Sequence, residues 1–406
     1  MTNSKNPIKY LGNELKYIKK VLEGESWSAT GGSWTTALER AFAKKIGTKY
    51  AVAFNSGTST LHAALEAVGV GAGDEVISPA ITVIMDTTAT LHANAVPVFA
   101  DVNPKTFTMD PEDLARKITP KTKAIITVAI YGLSPDMDLI MGIARKRNIP
   151  VIEDNAQAVL SYYQGRRLGT IGDVASFSFE NTKHISCGEG GMIVTDQEAY
   201  AEMVRKIGGH GFKNLKADEG RIRLNQGVFQ NPHYKRHDVL GWNYRLSEFN
   251  AAIALAQLER IEELVDLRIK SANLFIDAMK TCDYLVPQEI PDGYVNSYYT
   301  LGVIYEGKER IGVSWEEFRK AYIEAGGDGI YGAWSVPYLE PMMVTRQFAK
   351  RCPCIYENVS YPGGLCPAAE SIQPKIMQFK TNYRDVELAE RKVDILRKVI
   401  KRLAAR

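Results

Sequence analysis

The sequence predicts an α/β protein: a large domain built on a mostly parallel sheet with helices on both faces, then a smaller C-terminal α+β domain. Two observations carry this reading. Strand-like and helix-like stretches alternate from about residue 50 to residue 195, the pattern of linked βαβ units. The chain's 406 residues exceed what one simple core holds, which predicts two domains, 1–265 and 266–406.

The elements follow in order. Ile8, Leu11, Leu15, Ile18, Val21 and Leu22 recur at helical spacing and predict an amphipathic helix over 8–24. Gly31 and Gly32 break it, and 35–46 reads as a second helix. Tyr50–Phe54 is a short strand that ends at Asn55-Ser56-Gly57-Thr58-Ser59, with a helix from about Thr60 to Val68. Strands are then expected over 75–78, 96–100, 124–129, 151–153, 174–179 and 192–195, with helices over 82–94, 111–118 and 137–147 between them. Residues 212–238 are polar and aperiodic and read as a long loop, a length at which loops are usually functional. A long helix is expected over 247–279, a β-like run over 297–305, and helices over 314–325 and 385–403.

Composition narrows the function. Hydrophobic residues make up 45% and charged residues 24%, an ordinary globular mix. A net charge of +3 is small for this length and gives no support to binding of nucleic acid or an anionic membrane. The N-terminus lacks the apolar core of a signal peptide, and no window approaches the roughly 18 apolar residues of a membrane span. Five cysteines make no disulfide framework, and Cys352-Pro353-Cys354 lacks the spacing of a zinc pair, so no metal site is expected. Reduced thiols point to a cytoplasmic location.

Three local features carry chemistry. Ser56-Gly57-Thr58-Ser59 stands at a strand-to-helix junction, where free N–H groups and the helix dipole favour an anion; an ordinary helix cap explains the same residues. Asp154 ends a buried strand, at the sheet edge where open α/β folds bind ligands, and Gln157 follows three residues later; a capping box is the competing reading. Lys183 lies between the run Val174–Phe179, which includes Ser178, and the Gly188-Glu189-Gly190-Gly191 turn. Apolar strands on both sides would desolvate it, as a nucleophilic lysine needs. A phosphate cradle, an acid and a lysine in this order match what pyridoxal phosphate requires: a Schiff-base lysine and a carboxylate at its ring nitrogen.

The chain resembles the DegT/DnrJ/EryC1/StrS family of pyridoxal-phosphate sugar aminotransferases of fold type I. The resemblance rests on SGTSTLHAAL (56–65), GAGDEVISP (71–79), YGLSPDMD (131–138), VIEDNAQA (151–158), GTIGDVASFSFENTKHISCGEGGMIVTD (169–196) and GWNYRLSEFNAAIALAQL (241–258). It implies a seven-stranded-type sheet in the large domain. It implies that Lys183 holds the cofactor and moves protons, that Asp154 pairs with the ring nitrogen and that Gln157 contacts the 3-hydroxyl side. Ser56, Gly57, Thr58 and Ser178 would hold the phosphate. Asn243 and Arg245 would reach the partner's cofactor phosphate across a homodimer with shared active sites. Val83 stands where the family usually carries a stacking aromatic residue. His184 lies beside Lys183, but counting back from the glycine turn puts Lys183, not His184, at the lysine position, which disfavours a dehydratase.

The implied activity is transfer of an amino group from glutamate to a keto-sugar, most simply a nucleotide-linked one, for amino-sugar or glycan biosynthesis. A cyclitol ketone or a sugar phosphate is the alternative acceptor, and a non-catalytic regulatory homologue the alternative class. Candidate substrate residues are His210 and the basic loop with Arg221, Arg223, His233, Lys235 and Arg236, for which a solvated surface loop is the competing reading, together with Tyr331 and Trp334, for which a place in the core is.

Overall fold

The computed structural model describes residues 10–24, 27, 32–220 and 226–404. Its main sheet has seven strands: β1 (Tyr50–Phe54), β2 (Glu75–Pro79), β3 (Val96–Ala100), β4 (Thr122–Val128), β5 (Val151–Asp154), β8 (Val174–Ser178) and β9 (Gly191–Thr195). Two short strands, β6 (Tyr162–Tyr163) and β7 (Arg166–Arg167), lie outside it. The order across the main sheet is β1-β9-β8-β5-β4-β2-β3. Strands β3, β2, β4, β5 and β8 run parallel, and only β9 is antiparallel to its neighbours. β5 and β8 are buried at every position, as strands covered on both faces must be.

Helices α1 (Glu14–Glu23), α2 (Trp34–Ile46), α3 (Gly57–Ala67), α4 (Met85–His92), α5 (Pro111–Lys117), α6 (Met137–Arg145) and α7 (Glu198–Gly208) precede or flank these strands. α3 packs across the sheet through Thr60, whose Oγ1 lies 2.6 Å from Ser176 Oγ on β8. α2, α7 and β1 meet at a buried ion pair. Glu39 accepts two bonds from the Arg205 guanidinium, at 2.9 and 3.0 Å, and one from the Ala53 N–H.

The C-terminal region adds an antiparallel sheet in the order β10 (Leu285–Pro287), β12 (Leu301–Tyr305), β14 (Ile376–Phe379), β13 (Tyr331–Gly332). β11 (Tyr294–Val295) joins β6 and β7 in a small third sheet. Phe275, Leu301, Phe379 and Leu396 fill a core between this sheet and the long helices on it. The stretch from Val336 to Ile376 instead packs back on the main sheet. Tyr356 donates to the Ala95 carbonyl, and Asp101 accepts the Ala368 and Ala369 N–H groups.

Four expectations shift. The first helix begins at Glu14; Leu11 precedes it, and Ile8 lies outside the described residues. The helix expected from Thr82 begins at Met85, with the Thr82 hydroxyl donating to the Asp86 carboxylate across its start. The helix expected over 247–279 is two, α9 (Glu248–Leu258) and α10 (Ile261–Met279), which follow the short α8 (Gln226–Gln230) in the polar loop. The chain leaves helical geometry at Arg260, which turns forward onto Glu263. α7 had no counterpart in the sequence reading, although Tyr200, Met203, Val204 and Ile207 have helical spacing.

Candidate active site

The carboxyl edge of the main sheet gathers the predicted residues. β1 ends beside the start of α3, β5 ends on Asp154, and β8 ends on Ser178. The β8–β9 hairpin carries Lys183 in its connection. A cavity of about 430 Å³ opens there, lined by Ser56, Gly57, Thr58, Val83, Asp154, Gln157, Ser178 and Lys183.

Ser56 is the N-cap of α3: its Oγ accepts the Ser59 N–H at 3.1 Å, so its side chain serves the helix. Among the described residues the Gly57 and Thr58 N–H groups meet no acceptor. They stand at the positive end of the α3 dipole. A Cβ on Gly57 would lie 2.9 Å from Ser178 Cβ and 3.2 Å from its Oγ. The space between α3 and β8 therefore exists because residue 57 has no side chain, and it leaves two N–H groups and two hydroxyls around one anion-sized site.

Asp154 is 3% exposed and its Oδ1 accepts the Ala156 N–H at 2.9 Å. Burial pushes its carboxyl up, opposed by that N–H and by the charge of Lys183. The turn after it is not helical, so the capping-box reading of Asp154 and Gln157 fails. Gln157 Oε1 instead accepts the Tyr131 N–H at 2.7 Å, which fixes the amide at the cavity wall. Tyr131 is buried and held at φ 60° to present that N–H, a strained backbone of the kind found at sites.

Lys183 differs from expectation in its surroundings. It is half-buried, and an aromatic face rather than apolar strands covers it: Nζ lies 4.3 Å from the Tyr299 ring centroid. Arg268, buried on α10, donates to the carbonyls of Thr182, Lys183 and Tyr299, and the Tyr299 hydroxyl bonds Thr182 Oγ1 at 2.8 Å. This network fixes the lysine's backbone against the C-terminal region. His184 turns away, buried against the Ser297 carbonyl, and does not line the cavity.

Val83 lines the cavity where the usual aromatic would stand, and Tyr299 and Trp334 line it too. Thr182, Tyr299 and Trp334 also line a second chamber of about 760 Å³ that contains Tyr331, Asp328 and Lys380. Tyr331 is 73% and Trp334 54% exposed, so neither is a core residue. His210, Arg236, Asn243 and Arg245 line neither space within their own chain. Arg221 and Arg223 lie outside the described residues.

The sequence reading missed Tyr299, Arg268 and Asp86. Nothing local marks Tyr299 or Arg268, which reach the site from the C-terminal region. Asp86 does carry a signal: it is the only Asp, Glu, Lys or Arg between Glu75 and Asp101.

The model of the DegT/DnrJ/EryC1/StrS aminotransferase family matches residues 10–342. The chain belongs to that family. Among its relatives are two proteins named GDP-perosamine synthase. The one from Caulobacter vibrioides is 41% identical over 252 residues, 62% of this chain and 63% of the relative. The one from Escherichia coli is 37% identical over 264 residues, 65% of this chain and 68% of the relative. The aminotransferase from Psychrobacter cryohalolentis, a solved structure, superposes with a TM-score of 0.85 at 27% identity over 99% of both chains. Members of the family depend on pyridoxal phosphate. The residues of this family member fit that cofactor: an anion cradle that a Cβ would fill, a buried acid and a lysine share one cavity. Among the described residues no helix is long and apolar enough to cross a membrane.

Proposed function

We propose that this chain transfers an amino group from glutamate to a ketone carbon of a nucleotide-linked keto-sugar, as a homodimer. The observation that carries the reading is that Thr182, Tyr299 and Trp334 line two neighbouring spaces. One holds lysine, acid and anion cradle; the other is large, open and aromatic-walled. The relatives named for a GDP-linked sugar support the nucleotide-linked class.

Pyridoxal phosphate, when bound, supplies an electron sink for the carbon that gains or loses the amine. The chain supplies the rest. The Gly57 and Thr58 N–H groups, Thr58 and Ser178 would bind the phosphate. Asp154 would hold a proton at the ring nitrogen, and Gln157 would orient the 3-hydroxyl side. Lys183 Nζ would anchor the aldehyde and carry a proton between the substrate carbon and the cofactor. Val83 would press on the ring, and the Tyr299 ring faces Lys183 Nζ. Trp334 and Tyr331 would stack on sugar or base in the open chamber. Asn243 and Arg245, unused in their own chain's cavity, would complete the partner's phosphate site.

Borohydride reduction of the loaded protein tests the core of this reading. Peptide mass spectrometry should find the cofactor fixed on Lys183 and none fixed in Lys183→Ala; fixation on another lysine sinks the assignment. Glutamate with a GDP-linked keto-sugar should yield an amino-sugar product by mass. If no keto-sugar nucleotide is aminated while glutamate still converts the cofactor, the acceptor class is wrong.

A further inference from the structure

The acid at the end of β5 has a second acid behind it. Asp86, in the first turn of α4, is fully buried, and its carboxyl lies near enough to that of Asp154 for each to act on the other's ionisation. Asp86 Oδ2 accepts the Thr82 hydroxyl at 2.5 Å, whereas Oδ1 meets no donor. Asp154 Oδ1 is taken by the Ala156 N–H. Two ionised carboxylates this near, shut away from water, repel each other and leave an acceptor facing an acceptor; one proton between them removes both penalties. The groups that bear on the pair are the Thr82 hydroxyl from the turn before α4, Asp86's own N–H in α4, the Ala156 N–H after β5, and Lys183 from the β8–β9 connection.

The placement of that proton follows from the surroundings. Burial acts against ionisation of both carboxyls, but the Ala156 N–H and Lys183 favour a negative Asp154, while a negative Asp154 acts further against ionisation of Asp86. Glu153, one residue before Asp154, shows the contrast. It accepts the Gly169, Ile171 and Gly172 N–H groups and the Asn155 amide, four donors for one carboxylate. Asp86 has one from another residue, the Thr82 hydroxyl.

We propose that Asp86 is a positioning residue that remains protonated at neutral pH and donates its hydrogen to the Asp154 carboxylate, so that the dyad carries one negative charge aimed into the cofactor cavity. Its effect on catalysis rests on the assignment of Asp154 to the cofactor's ring nitrogen; the shared proton itself does not. Asp86 keeps Asp154 anionic and fixes its rotation, and α4 thereby joins the site without touching the cavity through this side chain.

The cofactor-free protein separates the two claims. Infrared difference spectra with labelled aspartate should show the carbonyl band of a buried protonated carboxyl at neutral pH. The band should vanish in Asp86→Asn, and it should persist at a shifted frequency in Asp154→Asn. No such band in the wild type, or a band untouched by Asp86→Asn, overturns the proposal; the wild-type spectrum decides even if a variant fails to fold. In the loaded enzyme, Asp86→Asn still donates a hydrogen bond and should keep kcat within a few-fold. Asp86→Ala should lose roughly tenfold or more, the loss of one hydrogen bond to a charged group. The pH profile of the cofactor's visible absorbance should move in Asp86→Ala and return toward wild type in Asp86→Asn. Loss of the infrared band with no change in absorbance or kcat would leave the dyad intact and remove Asp154 from the ring nitrogen.

Discussion

Gly57 is the residue on which the anion cradle depends, and the cost of a side chain there is readable from distance. Gly57→Ala puts a methyl group 2.9 Å from Ser178 Cβ, on a strand that cannot shift without its neighbours. Affinity for pyridoxal phosphate should fall at least tenfold by equilibrium titration, with melting temperature lowered only modestly. His184 makes a different prediction. Burial, with the Arg268 charge beside it, holds its imidazole well below the ordinary value of 6.5. The unfolded chain therefore binds a proton there that the folded chain refuses. The stability this contributes is complete above pH 6.5 and is lost as pH falls below it toward the folded value. His184→Asn should flatten that part of the stability curve in denaturant unfolding measured from pH 7.5 down to 5.

The element scale turns on how helices are tied to the sheet. α2 and α7 have no covalent reason to share β1; the Glu39–Arg205 pair, both partners 7% exposed or less, joins them. Arg205 also bonds the Ala51 and Ala217 carbonyls, so it stays fixed when Glu39 is lost. Glu39→Gln leaves a buried charge without its counter-charge and should cost about 3–5 kcal/mol in urea unfolding. Replacement of both residues by apolar side chains of similar volume should recover much of that loss, since desolvation of the pair already offsets most of its attraction. α10 reaches the site as well as the C-terminal core. Through Arg268 it makes three carbonyl contacts that set where Lys183 leaves the main domain's hairpin.

At the scale of the whole molecule, two groups of residues make predictions about what binds the chain. Tyr331 and Trp334 line the open chamber, and Trp334→Ala should raise KM for the keto-sugar nucleotide with the glutamate half-reaction unchanged, measured by separate stopped-flow assays. Asn243 and Arg245 stand outside their own cavity. If they serve the partner's site, mixing Lys183→Ala with Arg245→Ala protein should restore activity, because each mixed dimer has one site free of both defects. Mixtures as inactive as their parents would place both functions in one chain.

The sequence by itself determined the alternating strands and helices, the parallel character of the sheet and the order of cradle, acid and lysine. These are local or periodic signals: a buried strand needs apolar runs, a helix start needs a cap, and a βαβ unit keeps chain order along the sheet edge. Only the tertiary structure decided what surrounds the lysine and the acid. Tyr299 and Arg268 reach Lys183 from more than 80 positions along the chain, and hydrogen-bond distances replace sequence distances there. Asp86 lies 68 positions before Asp154, and only folding brings the two carboxyls near enough to act on each other. A lone acid in an uncharged stretch was visible in the sequence, but its meaning was not: whether a carboxylate keeps its proton depends on what it faces after folding, and that is a property of the packed interior.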